Sequence, residues 1–225
     1  ASLKHLNEHN WQWSPETLPV DLPNPVWKHS AIIQTLNGNT HSEGALPQGI
    51  ALLPMSEFMA QNPAFDSVWK ARNPILDQNS LYDLNEALTS DYAVLWVKKG
   101  IKIVEPLLHH YVVSGQQDTA VQSKLFIYLE EDSEITWFEQ QRSESSHAIL
   151  SNFVQEIWVS KNAHLTLIKD QDLQQSITHV DHTFIFQQES SLVDAFTFSI
   201  NAAYLRNNLH FYIDGPQVVS NLNGL

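Results

Sequence analysis

The most metal-like cluster in the sequence is His179-Val180-Asp181-His182. Imidazole and carboxylate groups are common ligands of zinc in proteins. On a β-strand, side chains alternate between two faces, so His179 and Asp181 share one face and His182 points to the other. Two ligands are too few for a metal site, and we predict a solvated strand here. The same alternation argues against a joint site at His109-His110.

A run of acidic residues, Glu130-Glu131-Asp132 with Glu134, is the best starting point for an enzyme hypothesis. Cleavage of a sugar needs two carboxyl groups that converge across the substrate, and nothing in this run indicates convergence. We predict a solvated edge. The sequence also lacks the Walker A, G-x-G-x-x-G, G-x-S-x-G and H-E-x-x-H motifs. We therefore assign no catalytic, cofactor-binding or metal-ligating residue and expect that the protein is not an enzyme.

The composition argues against several kinds of partner. Acidic residues number 25 against 12 Lys and Arg, which gives a formal net charge of −13 over 225 residues. Because phosphate backbones and anionic lipids attract positive charge, we expect neither nucleic acid nor a membrane as partner. There is no Cys, hence no disulfide and no thiolate ligand for a metal cluster. The start of the sequence lacks an apolar signal segment, and we predict a cytoplasmic protein.

The first predicted region, residues 1–90, has mixed and partly helical character. Apolar residues spaced three and four apart predict helices, and Asn79 or Ser80 supplies a start signal for the last of them. Ser56 and Asp66 are candidate caps for the two earlier helices. The predicted helices cover residues 55–61, 67–72 and 79–88.

The second predicted region, residues 91–225, changes to short apolar stretches separated by polar turns. The stretches are rich in Val, Ile, Tyr, Trp and Phe, which is typical of strands, and no long helix is predicted. The first predicted strands cover residues 92–97, 101–104, 107–113 and 124–129.

A repeat runs through this second region. Each copy has three apolar residues, a polar three-residue turn and a further apolar residue at its end. Ser133, Ala163, Ser190 and Gln217 are equivalent in a gap-free alignment, at spacings of 30, 27 and 27. The copies are residues 127–135, 157–165, 184–192 and 211–219, with a weaker one at 95–103.

Such a unit cannot bury its apolar face alone, and stacking successive units closes a shared core. The repeat therefore predicts a β-solenoid, with polar corners outside and apolar ladders inside. A β-sandwich of hairpins is the alternative, disfavoured because Asn-Gly and Asp-Gly turns are nearly absent between neighbouring strands. Trp137 and Trp158 occupy repeat positions, and we predict that they pack in the core or the wall.

Arg206-Asn207 lies in a run that ends near Asp214-Gly215 and Asn223-Gly224 and covers residues 194–199, 204–209 and 222–225. This run resembles the SufB/SufD family of iron–sulfur cluster assembly, and its SufD branch in particular, and is the most specific part of the resemblance. Similar segments lie at residues 84–88, 91–94, 104–107, 124–129 and 135–139.

The resemblance implies a mainly β fold, a right-handed parallel β-helix preceded by a smaller, partly helical region. It implies a non-catalytic scaffold subunit of the SUF complex that works with SufB-like and SufC-like subunits, the latter an ATPase. For the full complex it implies a transient iron–sulfur cluster or a reduced flavin, with no cofactor assigned to this stretch. The alternative function is a carbohydrate-binding or carbohydrate-cleaving β-helix.

Three smaller expectations complete the interpretation. We predict that Arg206-Asn207-Asn208 forms a corner, where Asn tolerates left-handed backbone and Arg binds carbonyl groups. Asn201 and Asn223 are predicted to be turn or ladder residues. The sequence stops inside a repeat, so we expect family coils to continue beyond it and the strand edge at residues 218–225 to pair two copies into a homodimer.

Overall fold

Two β-sheets face each other and enclose the core of the protein. The structure is a computed structural model and describes residues 9–13, 28–71, 80–89 and 91–225. Its strands are β1 (Ala31–Leu36), β2 (Asn39–Glu43), β3 (Ile50–Pro54), β4 (Ala93–Val97), β5 (Leu107–Ser114), β6 (Thr119–Leu129), β7 (Glu134–Glu144), β8 (Ile149–Val159), β9 (His164–Asp172), β10 (Ile177–Gln188), β11 (Leu192–Asn201), β12 (Tyr204–Asp214) and β13 (Val219–Gly224). Its helices are α1 (Met55–Gln61), α2 (Phe65–Ala71) and α3 (Ser80–Leu88).

From β4 onward, successive strands alternate between the two sheets. The orders are β12-β10-β8-β6-β4-β3 and β13-β11-β9-β7-β5-β1-β2. From β6 onward each strand is parallel to the strand two places before it. A sandwich of hairpins would pair consecutive strands antiparallel. The fold is therefore the predicted parallel β-solenoid and is mainly β, while the division at residue 90 stays a prediction.

The core lies between the sheets and uses every second residue of each strand. Ile127, Ile157 and Ile185 pair across β6, β8 and β10, and all three are fully buried. β-branched side chains pack well on such a pleated surface, so equivalent positions form an apolar ladder. Leu165 and Val193 continue the same core from the opposite sheet.

The structure shifts the repeat alignment by one residue in the third copy. Ile157 pairs with Ile185, whereas the gap-free alignment matched it to Phe184. Equivalent strand residues are therefore spaced 30, 28 and 26 apart. Because side chains alternate between the two faces of a strand, a shift of one position moves a side chain to the other face. Ile185 therefore lies inside, and Phe184 packs on the outer surface of its sheet.

The corners between the sheets share one backbone feature. Asp132, Asn162, Ser190 and Gln217 have φ of 61°, 57°, 58° and 60°, in the left-handed region. Gly100 has φ of 72° at the corner of the weaker copy, as the repeat implied. The strand predicted at residues 101–104 is wrong, because this corner and an isolated bridge from Lys102 to Glu134 occupy that stretch.

The solenoid begins with a hairpin that the sequence interpretation missed. Asn37 and Gly38, with φ of 47° and 89°, connect β1 and β2, and β1 then pairs parallel with β5. Asn-Gly is the preferred pair for such a two-residue turn, since both positions need positive φ. Asn37 also donates to the Ser114 carbonyl at 3.0 Å and accepts from the Ser114 amide at 2.9 Å.

The helices pack on the outer surface of one sheet. Phe58 and Phe65 contact Phe126 there, with ring centroids 6.0 and 5.8 Å away. The predicted helix at residues 55–61 is confirmed, but the Ser56 side chain does not cap it, because Asp91 accepts from both the amide and the hydroxyl of Ser56.

The remaining helix predictions are confirmed where the structure describes them. α2 begins two residues before predicted, its Asp66 carboxylate binds Lys70 at 2.6 Å one turn later, and α3 begins at Ser80. Arg72 and Asn79 lie outside the described residues. Among the helices that are described, none is long and apolar enough to cross a membrane.

The last coil leaves apolar side chains exposed. Ile213, Leu222 and Val219 on β12 and β13 are 55%, 54% and 47% exposed. In the described residues, β12 and β13 are the outermost strands of their sheets. Self-association through this edge stays a prediction.

Candidate functional site: a polar cluster inside the solenoid

Polar and charged side chains lie inside the solenoid, between the two sheets. They are at most 4% exposed, although interiors of this kind are otherwise apolar. They occupy inward positions of strands that also carry apolar inward residues, as Lys169 follows Leu165 and Leu167 on β9. We call this group the interior polar cluster: His109, Glu139, Gln141, Gln155, Lys169, Asp181 and Thr183.

Lys169 is the only Lys or Arg in this cluster, and hydrogen bonds surround its ammonium group. Its Nζ donates to both carboxylate oxygens of Asp181 at 2.7 Å and to the Thr183 hydroxyl at 2.6 Å. Glu139 Oε1 lies 3.6 Å away. Because Lys169 is on β9 and Asp181 on β10, the ion pair ties one sheet to the other across the interior.

Glu139 on β7 is the second buried carboxylate. Its Oε2 accepts from Gln155 at 2.9 Å and lies 3.0 Å from His109 Nδ1, and its Oε1 accepts from Gln141 at 2.7 Å. The Gln141 amide also donates to Asp181 at 2.7 Å. The two carboxylates therefore share donors, which is what a buried charge pair needs to offset its loss of water.

The electrostatics keep these groups charged. Burial acts to raise the pKa of Glu139, but the Lys169 ammonium and the hydrogen bonds from His109 and Gln141 outweigh it, so this pKa lies below its ordinary value. Burial acts to lower the pKa of Lys169, but the carboxylates of Asp181 and Glu139 outweigh it and raise this pKa. Both residues are ionised at neutral pH.

A row of hydroxyl groups lies beside the cluster. His179 Nδ1 is 2.7 Å from Ser151 Oγ, which is 2.8 Å from the Tyr111 hydroxyl. His179 Nε2 is buried and has no hydrogen-bond partner among the residues that the structure describes, and burial lowers the pKa of His179 to about 4. A serine–histidine pair is the arrangement of a nucleophile and its base. Both side chains are 0% exposed here, so the pair is part of the packed interior.

The alternation predicted for residues 179–182 is confirmed. His179 and Asp181 point into the solenoid, while His182 points outward beside Phe184, with ring centroids 6.2 Å apart. The prediction of a solvated strand is wrong, since all three are at most 2% exposed. The reason is that β10 is an inner strand, with β8 on one side and β12 on the other.

His109 and His110 also point apart, as predicted. His109 belongs to the interior polar cluster, whereas His110 faces outward and burial lowers its pKa to about 4. Within the part of the chain that the structure describes, no group of three or more His, Asp or Glu residues is arranged to hold a metal ion.

The corner predicted at Arg206-Asn207-Asn208 is wrong. All three lie in β12, and none has positive φ. Arg206 donates to the Asn208 side chain at 3.0 Å, and the exposed Asn207 exchanges two hydrogen bonds with the buried Gln171, at 2.8 and 2.9 Å. The Asn201 amide donates to Asp172 on the neighbouring strand at 2.8 Å, so its prediction as a ladder residue is confirmed.

The acidic run at residues 130–134 binds neighbouring corners. Glu130 accepts from the Trp96 indole at 2.8 Å and the Lys99 amide at 2.7 Å, and Asp132 accepts from Asn162 at 3.0 Å. Glu131 and Asp132 are exposed, as predicted for a solvated edge. The acidic side chains link neighbouring coils by hydrogen bonds. The carbohydrate alternative gains no support from them.

Both tryptophans singled out from the repeat pack as predicted. Trp137 is fully buried inside and stacks on His109, with centroids 4.9 Å apart. Trp158 packs on the outer surface against Phe186 at 5.3 Å and against α2.

Glu139 and Lys169 are the functional-looking residues that the sequence interpretation missed. They are register partners in the neighbouring strands β7 and β9. The distance in sequence between them equals that between Ser133 and Ala163. Their opposite charges at the repeat spacing were a usable signal, because equivalent positions in stacked coils become neighbours.

Fold and interior together define a class, a parallel β-solenoid with a charged, hydrogen-bonded centre. Residues 111–225 match the family described as SUF system FeS cluster assembly, SufBD core domain. The match covers just over half of the chain and coincides with the stacked coils. The chain belongs to the SufBD family.

A curated relative supports the same family. The chain is similar to the Synechocystis sp. (strain ATCC 27184 / PCC 6803 / Kazusa) protein named "Iron-sulfur cluster assembly SufBD family protein slr0076". The two are 26% identical over 143 residues, which is 59% of this chain and 32% of the relative. The chain thus spans about a third of the length of the curated relative that it matches.

Proposed function

We propose that this chain supplies the first solenoid coils of a scaffold subunit of the SUF complex, on the SufD branch of the family. In this proposal it works in the cytoplasm with a SufB-like subunit and a SufC-like ATPase. The observation that supports it is the coincidence of the SufBD core match with the coils from β5 to β13. A stack of coils held by ladders on both faces is a rigid support for partners.

The proposed role is structural and not catalytic. The buried charges of Lys169, Asp181 and Glu139 are satisfied by one another and by the surrounding amides inside the solenoid. The serine–histidine pair at Ser151 and His179 is equally enclosed. An enzyme would need such groups in a cleft that a substrate can enter.

The described residues do not fit a cluster site of their own. The sequence has no Cys, and the described residues hold no cluster of three or more potential ligands. Fe–S clusters are held mainly by thiolates. We propose that a nascent cluster, as cargo of the complex, takes its ligands from partner subunits or from the rest of the longer protein, and we place no flavin on this stretch.

A co-purification experiment tests this proposal. The full-length protein is co-expressed with SufB-like and SufC-like proteins from the same source, beside the 225-residue chain as a matched comparison. We expect a stable complex with the full-length protein and loss of the ATPase subunit with the shorter chain. ATP hydrolysis, measured in both samples, should depend on the SufC-like subunit alone.

Binding of neither partner by the full-length protein would overturn the scaffold proposal. Retention of the ATPase by the 225-residue chain would instead move the docking surface into the described coils. A screen for oligosaccharide binding and hydrolysis in the same preparations tests the carbohydrate alternative, and we expect no turnover.

A further inference from the structure

The dipeptide Asn-Gly, in which an asparagine side chain reacts readily with its own main chain, occurs twice in the sequence. Glycine has no Cβ to shield the attacking nitrogen, and asparagine is a thermolabile residue. One copy, Asn37-Gly38, forms the turn between β1 and β2, and the other, Asn223-Gly224, lies in β13. The two copies share one chemistry and differ in the structure around them.

The structure holds the first copy in place. The Asn37 side-chain amide donates to the Ser114 carbonyl at 3.0 Å, and its Oδ1 accepts from the Ser114 amide at 2.9 Å. Asn37 is buried, and a Cβ built at Gly38 would lie 2.7 Å from the carbonyl oxygen of Gln122. The side chain would have to break its bonds to Ser114 and turn in a crowded space before it could react, so this copy is protected.

The second copy lacks these restraints. Asn223 is exposed, and no hydrogen bond to its side chain is made by any residue that the structure describes. A Cβ built at Gly224 would meet nothing closer than the Thr197 carbonyl oxygen, at 3.9 Å. The space that is closed around Gly38 is therefore open around Gly224.

The main-chain nitrogen of Gly224 also lies outside the strand ladder. The Val219 amide donates to the Ser191 carbonyl at 3.0 Å. The Leu225 amide donates to the Thr197 carbonyl at 2.9 Å, so both of these amides point towards β11. Successive amides of a strand point to alternate sides, and the Gly224 amide therefore points away from β11. Among the described strands β13 is the outermost one there, and no described carbonyl group accepts from Gly224.

We propose that Asn223 is a site of spontaneous deamidation in this chain and that Asn37 is not. The Gly224 nitrogen loses its proton to hydroxide and bonds to Cγ of Asn223. The Cγ–Nδ2 bond breaks, and the leaving group takes a proton from water and departs as ammonia. Water then opens the cyclic imide at either carbonyl, which leaves aspartate or isoaspartate at position 223. In sum, water is consumed and ammonia is released, and no oxidant or cofactor takes part.

The product changes the outermost strand. Either form adds a negative charge to a chain whose formal net charge is already −13. Isoaspartate also lengthens the main chain, which shifts Gly224 and Leu225 out of register with Thr197 on β11. Pairing between β13 and β11 should therefore weaken at this end once deamidation has occurred.

Peptide mapping by mass spectrometry tests the proposal on the 225-residue chain. The chain is incubated in mildly alkaline buffer, and conversion at both copies is followed in the same digest. We expect Asn223 to convert about tenfold or more faster than Asn37, because only Asn37 must wait for a local opening of the coil. In urea the two rates should become nearly equal, since both copies are Asn-Gly and no structure then distinguishes them.

Gly224→Ala is the matched variant, because the added Cβ shields the attacking nitrogen at a position that has room for it. It should slow conversion of Asn223 severalfold and leave Asn37 unchanged. The proposal is overturned if Asn37 converts as fast as Asn223 in the folded chain. It is equally overturned if neither copy converts in the folded chain while both convert in urea, because the open edge of β13 is then protected as well.

Discussion

Strand β9 places two different interiors side by side. Leu165 and Leu167, near the corner, enter an apolar core with Ile135 and Val193. Lys169 and Gln171, four residues further along the strand, enter a network of charges and amides. Both halves are buried, and both repeat from coil to coil. The apolar half we call the corner core, to set it against the interior polar cluster.

The corner core and the interior polar cluster differ in how strictly they fix the register between neighbouring strands. A corner core position accepts many apolar neighbours, because burial is non-directional. The cluster accepts only one arrangement, since Lys169 must meet Asp181 and a slip by one residue would turn it to the outer face. We infer that the corner core contributes most of the burial and that the cluster selects how coils align.

The largest expected effect is in the cluster. Lys169→Met should lower the free energy of unfolding by about 3–5 kcal/mol, because Asp181 and Glu139 then remain buried without the ammonium group. Urea unfolding at neutral pH measures this. The double variant Lys169→Met with Asp181→Asn should recover part of the loss. A loss under about 1 kcal/mol would mean that this buried ion pair contributes no more to stability than an exposed one, which would contradict the comparison.

The next largest effect is expected from acid, through the buried His179 beside the interior polar cluster. The pKa of His179 falls from 6.5 to about 4 in the folded protein, so the unfolded chain takes up a proton first as pH falls. The contribution of His179 to stability is full above about pH 6.5 and declines by up to about 3 kcal/mol towards pH 4. Outward-facing His110 and His182 shift the same way, and below these values Glu139, with its lowered pKa, adds a further loss.

Urea midpoints at a series of pH values from 7 to 4 check this prediction. His179→Leu should reduce the dependence and leave the part due to His110 and His182, whereas His147→Gln, at an exposed position, should leave it unchanged. An equal slope in the unaltered chain and in His179→Leu would contradict the prediction, because the pKa of His179 would then be the same in the folded and unfolded states.

A smaller effect is expected in the corner core. Ile157→Val removes one buried methylene between Ile127 and Ile185 and should cost about 0.5–1.5 kcal/mol. Urea unfolding measures it beside Lys169→Met. Which of the two variants loses more stability is the sharpest test of the comparison. A larger loss for Ile157→Val than for Lys169→Met would contradict the register role that we assign to the interior polar cluster.

The smallest effect is expected outside both halves. Lys161 pairs with Glu189 at 2.8 Å on an exposed corner, where its side chain is 47% exposed. Lys161→Met should leave the urea midpoint almost unchanged, and added salt should remove any remaining difference. A salt-independent loss of stability as large as that of Ile157→Val would mean that the corners, too, hold the coils in register.

Much of the fold was predictable from local patterns. Alternating β-branched and aromatic residues predicted strands, and the spaced copies with polar corners predicted stacking into a solenoid. The alternation of His179, Asp181 and His182 followed from strand geometry alone. These features depend only on neighbouring residues, which the sequence lists in order.

Several of the errors share one physical cause, since they concern residues brought together from different coils. Phe184, Ile185 and Phe186 are all apolar, so the sequence alone could not choose the one that faces inward. Corner length also varies: three residues separate the partners Gln188 and Leu192, and four separate Asp214 and Val219. A uniform repeat spacing cannot follow such changes.

The sequence by itself determined a chain of strands and corners that must stack, because no single unit can bury its apolar face. Only the tertiary structure decided that Lys169 meets Asp181, that Glu139 meets His109, and that Arg206 lies in a strand. Those contacts depend on the sum of several strand and corner lengths. An error of one residue in that sum turns a buried charge into a surface one.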